Sequence, residues 1–214
     1  MMLYIVRHGE TGWNRISRVQ GHTDVPLNDH GRRLAEETAE GMRDIPLDLG
    51  LTSPLSRAKE TAEIILRGRN IPLLEDDRLM EIGFGSYEGL IHGGEDRDPR
   101  SPLFDLFFTD TYRYVPPEGA ETLEQLYERT GDFLREMCQR KDLEGKNILV
   151  STHGAAMTAM LNRIKNRMYT GNFWPGSVPP NCSVTMVEVK EGRMEIVKEG
   201  EIYYKEKVQN RKSV

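Results

Sequence analysis

Two short apolar runs, Leu3–Val6 and Ile148–Val150, each run out into a His-Gly pair, at His8-Gly9 and His153-Gly154. Short apolar runs rich in β-branched residues, with no polar alternation, read as strands buried on both faces, and such strands belong to parallel sheets covered by helices. The rest of the chain supplies those helices. Asn28 is a suitable N-cap for a helix from Asp29 to about Met42. Leu49–Thr52 is another short strand, ended by Ser53-Pro54, and Leu55–Leu66 then sets Ala58, Ala62 and Ile65 at helical spacing with Gly68 as a stop. From Glu121 to Arg140, Leu123, Leu126, Tyr127, Phe133, Leu134 and Met137 recur at three- and four-residue steps, which makes an amphipathic helix. Met157, Met160, Leu161 and Ile164 form one more helical face. Val184–Val189 and Met194–Val197 flank Lys190-Glu191-Gly192-Arg193 and read as a hairpin. The expected fold is α/β: three layers, α/β/α, with a mainly parallel central sheet and an antiparallel edge hairpin.

A chain of 214 residues fits one domain, 1–214, better than two. No internal repeat is visible. The one compositional break, about 91–117, holds Gly93-Gly94, Pro99, Pro102, Pro116-Pro117 and the aromatics Phe104, Phe107 and Phe108. It reads as an inserted lid or cap over one end of the sheet; its aromatics read either as contacts for an apolar or ring-bearing leaving group or, the plainer reading, as packing of the insertion onto the domain. A net charge of −5 gives no pull toward nucleic acid or an anionic membrane, so neither is an expected partner. The apolar start lacks a basic lead and is too short for a signal peptide, no run is long enough to span a bilayer, and a cytoplasmic protein is expected. Cys138 and Cys182 are the only cysteines. Reduced thiols suit that setting, and a single disulfide stays open as the other reading. The locally basic tail from Lys205 to Lys212 reads as a solvated terminus.

In an open α/β sheet, ligands bind outside the carboxyl ends of the strands, which is where both His8 and His153 fall. One such histidine alone would read as a loop residue at a strand end; the pair reads as one crevice. Arginines accompany them. Arg7 adjoins His8, and Arg57 lies in the first turn of the helix after Ser53-Pro54, where free N–H groups and a bidentate side chain suit an oxyanion. A solvated surface position is the plain alternative for Arg57.

These residues fall into a longer pattern. Arg7-His8-Gly9-Glu10-Thr11-Gly12-Trp13-Asn14 is succeeded in order by Gln20-Gly21, Asp24-Val25-Pro26-Leu27, Ser53-Pro54-Leu55-Ser56-Arg57-Ala58, Glu60-Thr61-Ala62, Glu81-Ile82-Gly83-Phe84-Gly85, Glu88-Gly89, Ser151-Thr152-His153-Gly154 and Pro180-Asn181-Cys182-Ser183. The set resembles the histidine phosphatase superfamily, the phosphoglycerate-mutase-like enzymes, over nearly the whole chain apart from the insertion and the tail. The resemblance implies that His8 is the nucleophile that becomes phosphorylated, and that Arg7, Asn14, Arg57 and His153 form the phosphate pocket. Glu81 is implied as proton donor and acceptor, with substrate contacts at Gln20, Gly21 and Gly154. It also implies chemistry without a metal, and no cofactor is called for. The roles make chemical sense. Attack needs a neutral imidazole with one nitrogen free and the other held as N–H by an acceptor, and nearby arginines disfavour the imidazolium. An alkoxide leaves poorly, and a carboxylic acid beside a phosphate dianion holds its proton until the P–O bond breaks. His22, His30 and His92 match no role and are expected at the surface.

Three readings are open: a phosphomonoester hydrolase, a phosphoglycerate mutase that returns the phosphoryl group to another hydroxyl, and a silent phospho-ligand binder. The presence of His8, Arg57, Glu81 and His153 together weighs against the binder. Cofactor-dependent mutases continue the glutamate as Glu-Arg-His-Tyr-Gly, whereas this chain has Glu81-Ile82-Gly83-Phe84-Gly85, the phosphatase-like form. The expected partner is a small phosphomonoester: a sugar phosphate, a ribazole phosphate, a phosphoglycerate or a nucleotide-like ester. Arg97, Arg100 and Arg113 read as water-facing loop charges, and the chain as a monomer or homodimer.

Overall fold

The computed structural model describes residues 1–167 and 172–205, so the basic tail beyond Lys205 lies outside the described residues. A six-stranded sheet runs in the order β3-β2-β4-β1-β5-β6. Its strands are β1 (Met2–Arg7), β2 (Leu49–Thr52), β3 (Leu73–Glu75), β4 (Asn147–Thr152), β5 (Val184–Lys190) and β6 (Arg193–Glu201). β1, β2, β3 and β4 pair in parallel, and the hairpin β5–β6 adds antiparallel strands beside β1. Lys190 pairs with Arg193 across a two-residue turn in which Glu191 (φ 51°) and Gly192 (φ 73°) are both left-handed. That is the turn whose twist matches two antiparallel strands.

The helices are α1 (Gly12–Arg15), α2 (Asp29–Gly41), α3 (Ser56–Leu66), α4 (Ser101–Thr109), α5 (Leu123–Gln139) and α6 (Gly154–Ile164). Period-2 alternation along the central strands splits the core into two faces. Leu3, Ile5, Ile148 and Val150 meet Phe133, Leu134 and Met137 of α5 and Met157, Met160 and Leu161 of α6. Val6 and Leu149 meet Ala62, Ile65 and Leu66 of α3, with Ala39 of α2 against them. The three layers expected from the sequence are there, and Asn28 caps α2 by accepting from Gly31 N (2.7 Å). The start of α2 also presses on the loop after His8. A Cβ on Gly31 would stand 2.1 Å from the Glu10 carbonyl oxygen, and one on Gly9 2.6 Å from that of Gly31. Glycine at both positions lets helix and loop touch.

Segment 91–117 sits at the carboxyl end of the sheet. It contains α4, whose Phe104 and Phe107 are buried against Ile82, Phe84, Tyr127, Trp174 and the first turns of α6 at Ala155, Ala156 and Ala159. Phe84 meets both phenylalanines edge to face at 5.1 Å, and Trp174 Nε1 donates to the Phe107 carbonyl (2.9 Å). The aromatics therefore pack this segment onto the domain. His92 belongs to that packing, half-buried and stacked on Phe108 with ring centroids 5.6 Å apart. The surface position expected for it is corrected: an apolar neighbour on each side draws the ring in. Cys138 and Cys182 are both free thiols. Among the described residues no helix is long and apolar enough to cross a membrane.

Candidate active site

β1 and β4 lie side by side with Arg7 opposite Thr152, so the residues next after them, His8 and His153, emerge together. Their ring centroids are 5.1 Å apart, and both side chains are buried. Each ring is held through one nitrogen. His8 Nδ1 lies 2.7 Å from the Gly9 carbonyl oxygen. A carbonyl can only accept, so Nδ1 carries the proton and the lone pair of the neutral ring sits on Nε2. His153 Nε2 is 2.8 Å from Ser53 Oγ, which also accepts from Leu55 N (3.3 Å). With that hydroxyl donating to His153, the ring's proton is assigned to Nδ1, a buried atom without a hydrogen-bond partner.

Burial holds the His8 imidazole well below its ordinary pKa, with Arg57 and Arg7 adding to the effect and the Gly9 bond opposing it. His153 is lowered the same way, by burial first and then by Arg57 and His8. Both rings are neutral at pH 7. Below about 6.5, the ordinary imidazole value, they take up protons in the unfolded chain and not in the folded one. Stability therefore falls as pH drops through that value toward the depressed folded ones, by roughly 1 kcal/mol per pH unit for each ring. Glu88, whose pKa is itself held low, adds a loss in the same direction only below about 4, the ordinary carboxylate value. Urea unfolding between pH 7 and 5 is expected to show this slope, and His153→Asn to flatten it by about one proton. Equal slopes in the two proteins would contradict the assignment of His153 as a neutral buried base.

Arg57 is completely buried and is the largest such side chain. It is not the solvated surface residue of the plain alternative. Its Nη2 donates to the Gly21 carbonyl (2.7 Å) and its Nη1 to that of Thr23 (3.0 Å), while Nε is buried with no partner. Burial lowers its pKa to about 10, so it remains cationic at neutral pH. At the start of α3 two N–H groups are already taken within the protein: Leu55 N by Ser53 Oγ, and Ser56 N by Asp24 Oδ1, which also accepts from Ser56 Oγ (2.8 Å each). α3 has no side-chain cap of its own at Leu55, so the loop supplies one. The N-terminus of α6 faces the site. There Glu81 Oε1 accepts from Ala155 N (3.0 Å) and Ala156 N (3.1 Å), and from Ile82 N (3.0 Å). Gly154 keeps this corner open, since a Cβ there would come within 2.9 Å of Val178 and 3.6 Å of both Arg7 Nε and Glu81 Oε2. Arg7 reaches across to donate from Nη1 to the Pro179 carbonyl.

Asn14 and Gln20 gather around Thr11. Its Oγ1 lies 3.1 Å from Asn14 Oδ1 and 3.0 Å from Gln20 Oε1, and accepts from Asn14 N in a capping box for α1. Any donation by Asn14 to a phosphoryl oxygen would come from Nδ2. Gly21 contributes its carbonyl to Arg57. Residues that stood in the sequence pattern without a role now have one. Thr61 Oγ1 accepts from Gly9 N (2.9 Å), Asn181 Nδ2 donates to the His8 carbonyl (2.9 Å), and Glu88 gathers His22 N, Thr23 N and Thr23 Oγ1, fixing the loop that Arg57 holds. Thr61 could have been found from its place one turn after Arg57 on the same helix face. His22 is exposed, as expected, yet its Nε2 bonds the Glu81 carbonyl oxygen (2.8 Å). His30 is half-buried rather than at the open surface. Among the described residues there is no group of three or more His, Cys, Asp or Glu placed to hold a metal ion.

A buried histidine pair and a buried arginine at the carboxyl ends of adjacent parallel strands define the class, and the chain belongs to the histidine phosphatase superfamily (branch 1), whose family model matches residues 3–201. It is 40% identical over 160 residues to the uncharacterized phosphatase PhoE of Bacillus subtilis, covering 75% of each chain. It is 31% identical over 193 residues to a metal-independent phosphoserine phosphatase of Arabidopsis thaliana, covering 88% of this chain and 76% of that one. Among solved structures, Bacillus stearothermophilus YhfR is similar with a TM-score of 0.84 at 33% identity, over 94% of this chain and 97% of that one. Relatives of similar identity include 2,3-bisphosphoglycerate-dependent phosphoglycerate mutases.

Proposed function

We propose that this protein hydrolyses small phosphomonoesters through a phosphohistidine on His8. The observation that carries the reading is the state of that ring. Its Nδ1–H is committed to the Gly9 carbonyl, burial and two arginines hold it neutral, and the lone pair therefore sits on Nε2. Nε2 attacks phosphorus in line with the ester oxygen; the N–P bond forms as the P–O bond breaks. The Glu81 carboxyl passes its proton to the departing alcohol, then as carboxylate takes a proton from the water that attacks phospho-His8, releasing phosphate and restoring both groups. Arg57 Nε–H and His153 Nδ1–H are buried donors in need of acceptors, and the equatorial phosphoryl oxygens supply them. Arg7 adds charge, and Asn14 a further donor. Every step is carried by the protein's own side chains, in keeping with the resemblance.

Hydrolysis is favoured over mutase chemistry by the segment directly after Glu81. Ile82 and Phe84 are buried in the aromatic cluster, so this segment presents no basic side chain to hold the carboxylate of a phosphoglycerate. The test is a phosphomonoester panel, run with and without a chelator, beside a mutase assay on 3-phosphoglycerate. The expected result is phosphate release that survives chelation, together with a trapped phosphoprotein labile in acid and stable in base. Cofactor-stimulated interconversion of phosphoglycerates with little phosphate release would select the mutase instead.

A further inference from the structure

Arg129, on α5, uses all five of its N–H donors, and none of them reaches the histidine pair. Nε donates to Glu121 Oε1 (2.6 Å) and Nη2 to Glu121 Oε2 (2.7 Å), a bidentate pair. The other three go to main-chain oxygens: Nη1 to Met80 (2.8 Å) and Arg78 (2.9 Å), and Nη2 to Glu81 (2.9 Å). The Glu81 carbonyl is held a second time, by His22 Nε2 (2.8 Å), from the loop between α1 and α2. Glu121 Oε2 in turn accepts from Gly83 N (3.3 Å).

This pattern has a local cause. Residues 81–83 belong to neither helix nor strand, so no ladder supplies partners for their backbone groups; the Gly83 carbonyl accepts from Glu121 N (2.8 Å), and the Glu81 carbonyl, Ile82 N and Gly83 N are met by side chains. The result is that Glu81 is held at both ends. The α6 N-terminus takes its carboxylate, and Arg129 and His22 take its carbonyl from two different elements. A carboxyl that moves a proton along a breaking P–O bond works only within hydrogen-bond reach and alignment, and a displacement of about 1 Å costs on the order of 100-fold.

We propose that Arg129, braced by Glu121, and His22 are positioning residues for Glu81, which set the direction of its carboxyl through its backbone. This rests on the proton-transfer role given to Glu81 above. A planar fork with five fixed donors is needed at position 129; a lysine ammonium has three and cannot span Glu121 and three carbonyls at once.

The discriminating measurement is kcat/KM on three esters of graded leaving group: p-nitrophenyl, phenyl and benzyl phosphate. For a phosphoenzyme mechanism this ratio covers binding through P–O cleavage. A nitrophenolate leaves with little help, whereas a benzyl alkoxide needs the proton. Arg129→Met and His22→Ala are expected to lower kcat/KM for benzyl phosphate by about 10- to 100-fold and for p-nitrophenyl phosphate by only a few-fold. Arg129→Lys should behave like Arg129→Met, and His22→Gln, which keeps a side-chain N–H, should recover much of the loss. His22 is exposed, so its variants are expected to keep the wild-type Tm and to report even if Arg129→Met folds poorly. In a Glu81→Gln background neither substitution should cost more, since the group they aim is gone.

Equal losses on all three esters, or full additivity with Glu81→Gln, would overturn the positioning role while leaving phosphohistidine chemistry intact. A wild-type protein that releases phosphate from none of the esters, or a His8→Ala protein that releases it at the wild-type rate, would overturn the hydrolase reading itself.

Discussion

His8→Ala is expected to end phosphate release from every ester the wild-type protein cleaves and to leave no acid-labile phosphoprotein, a loss of about 10³-fold or more in kcat. His153, the nearest imidazole, has its ring centroid 5.1 Å away and spends Nε2 on Ser53. With its proton assigned to Nδ1 it presents a donor and not a lone pair. The fold should survive the change, because the loop at position 8 is fixed through its backbone. His8 N bonds the Thr152 carbonyl, and its own carbonyl accepts from Asn181 Nδ2. The check is single-turnover trapping with labelled ester beside an unfolding curve. A folded His8→Ala protein that still forms a phosphoprotein would place the nucleophile elsewhere.

Arg57→Met should damage both stability and turnover. Burying a guanidinium completely is tolerable here because two loop carbonyls, Gly21 and Thr23, take its Nη atoms. Without it they lose their donors inside the protein, at about 1–3 kcal/mol each. Against an ordinary domain stability of about 5–15 kcal/mol, that is a large loss, which unfolds the protein only if it starts near the low end. Turnover loses the buried positive charge and the Nε–H at the transferring group. Removing a single donor of this kind costs about 10²–10³-fold in kcat. Arg57→Lys is expected to fall between the two, keeping charge but not the fork that ties the loop and faces the site together. The two effects separate by measurement, since the urea midpoint reports the loop and kcat/KM the transferring group. Equal kcat/KM for Met and Lys variants would count against an electrostatic role.

Several elements were legible because their cause is local. Short apolar runs become the buried strands β1, β2 and β4; Asn28 caps α2; and the α5 stripe is apolar at three- and four-residue steps. β3 was missed since an edge strand of three residues, half-buried to exposed, has no apolar run to show. α1 is too short for any period to appear, while α4 did carry a signal, a proline at its first turn and Phe104, Phe107 and Phe108 at helical steps.

The site divides in the same way. The sequence by itself determined the residue types and where three of them stand relative to their own strand or helix: His8 and His153 directly after strands, and Arg57 in the first turn of a helix. Those arise from short-range sterics and burial periodicity, which act between neighbours in the chain. Only the tertiary structure decided which nitrogen of each ring is free, that Arg57 is buried beneath a loop it ties down, and that the α6 N-terminus holds Glu81 while Arg129 and His22 fix its carbonyl from outside. Arg129 lies 48 positions from Glu81 along the chain. Its acceptors are main-chain oxygens, which every residue carries, so no pattern of side chains can announce them.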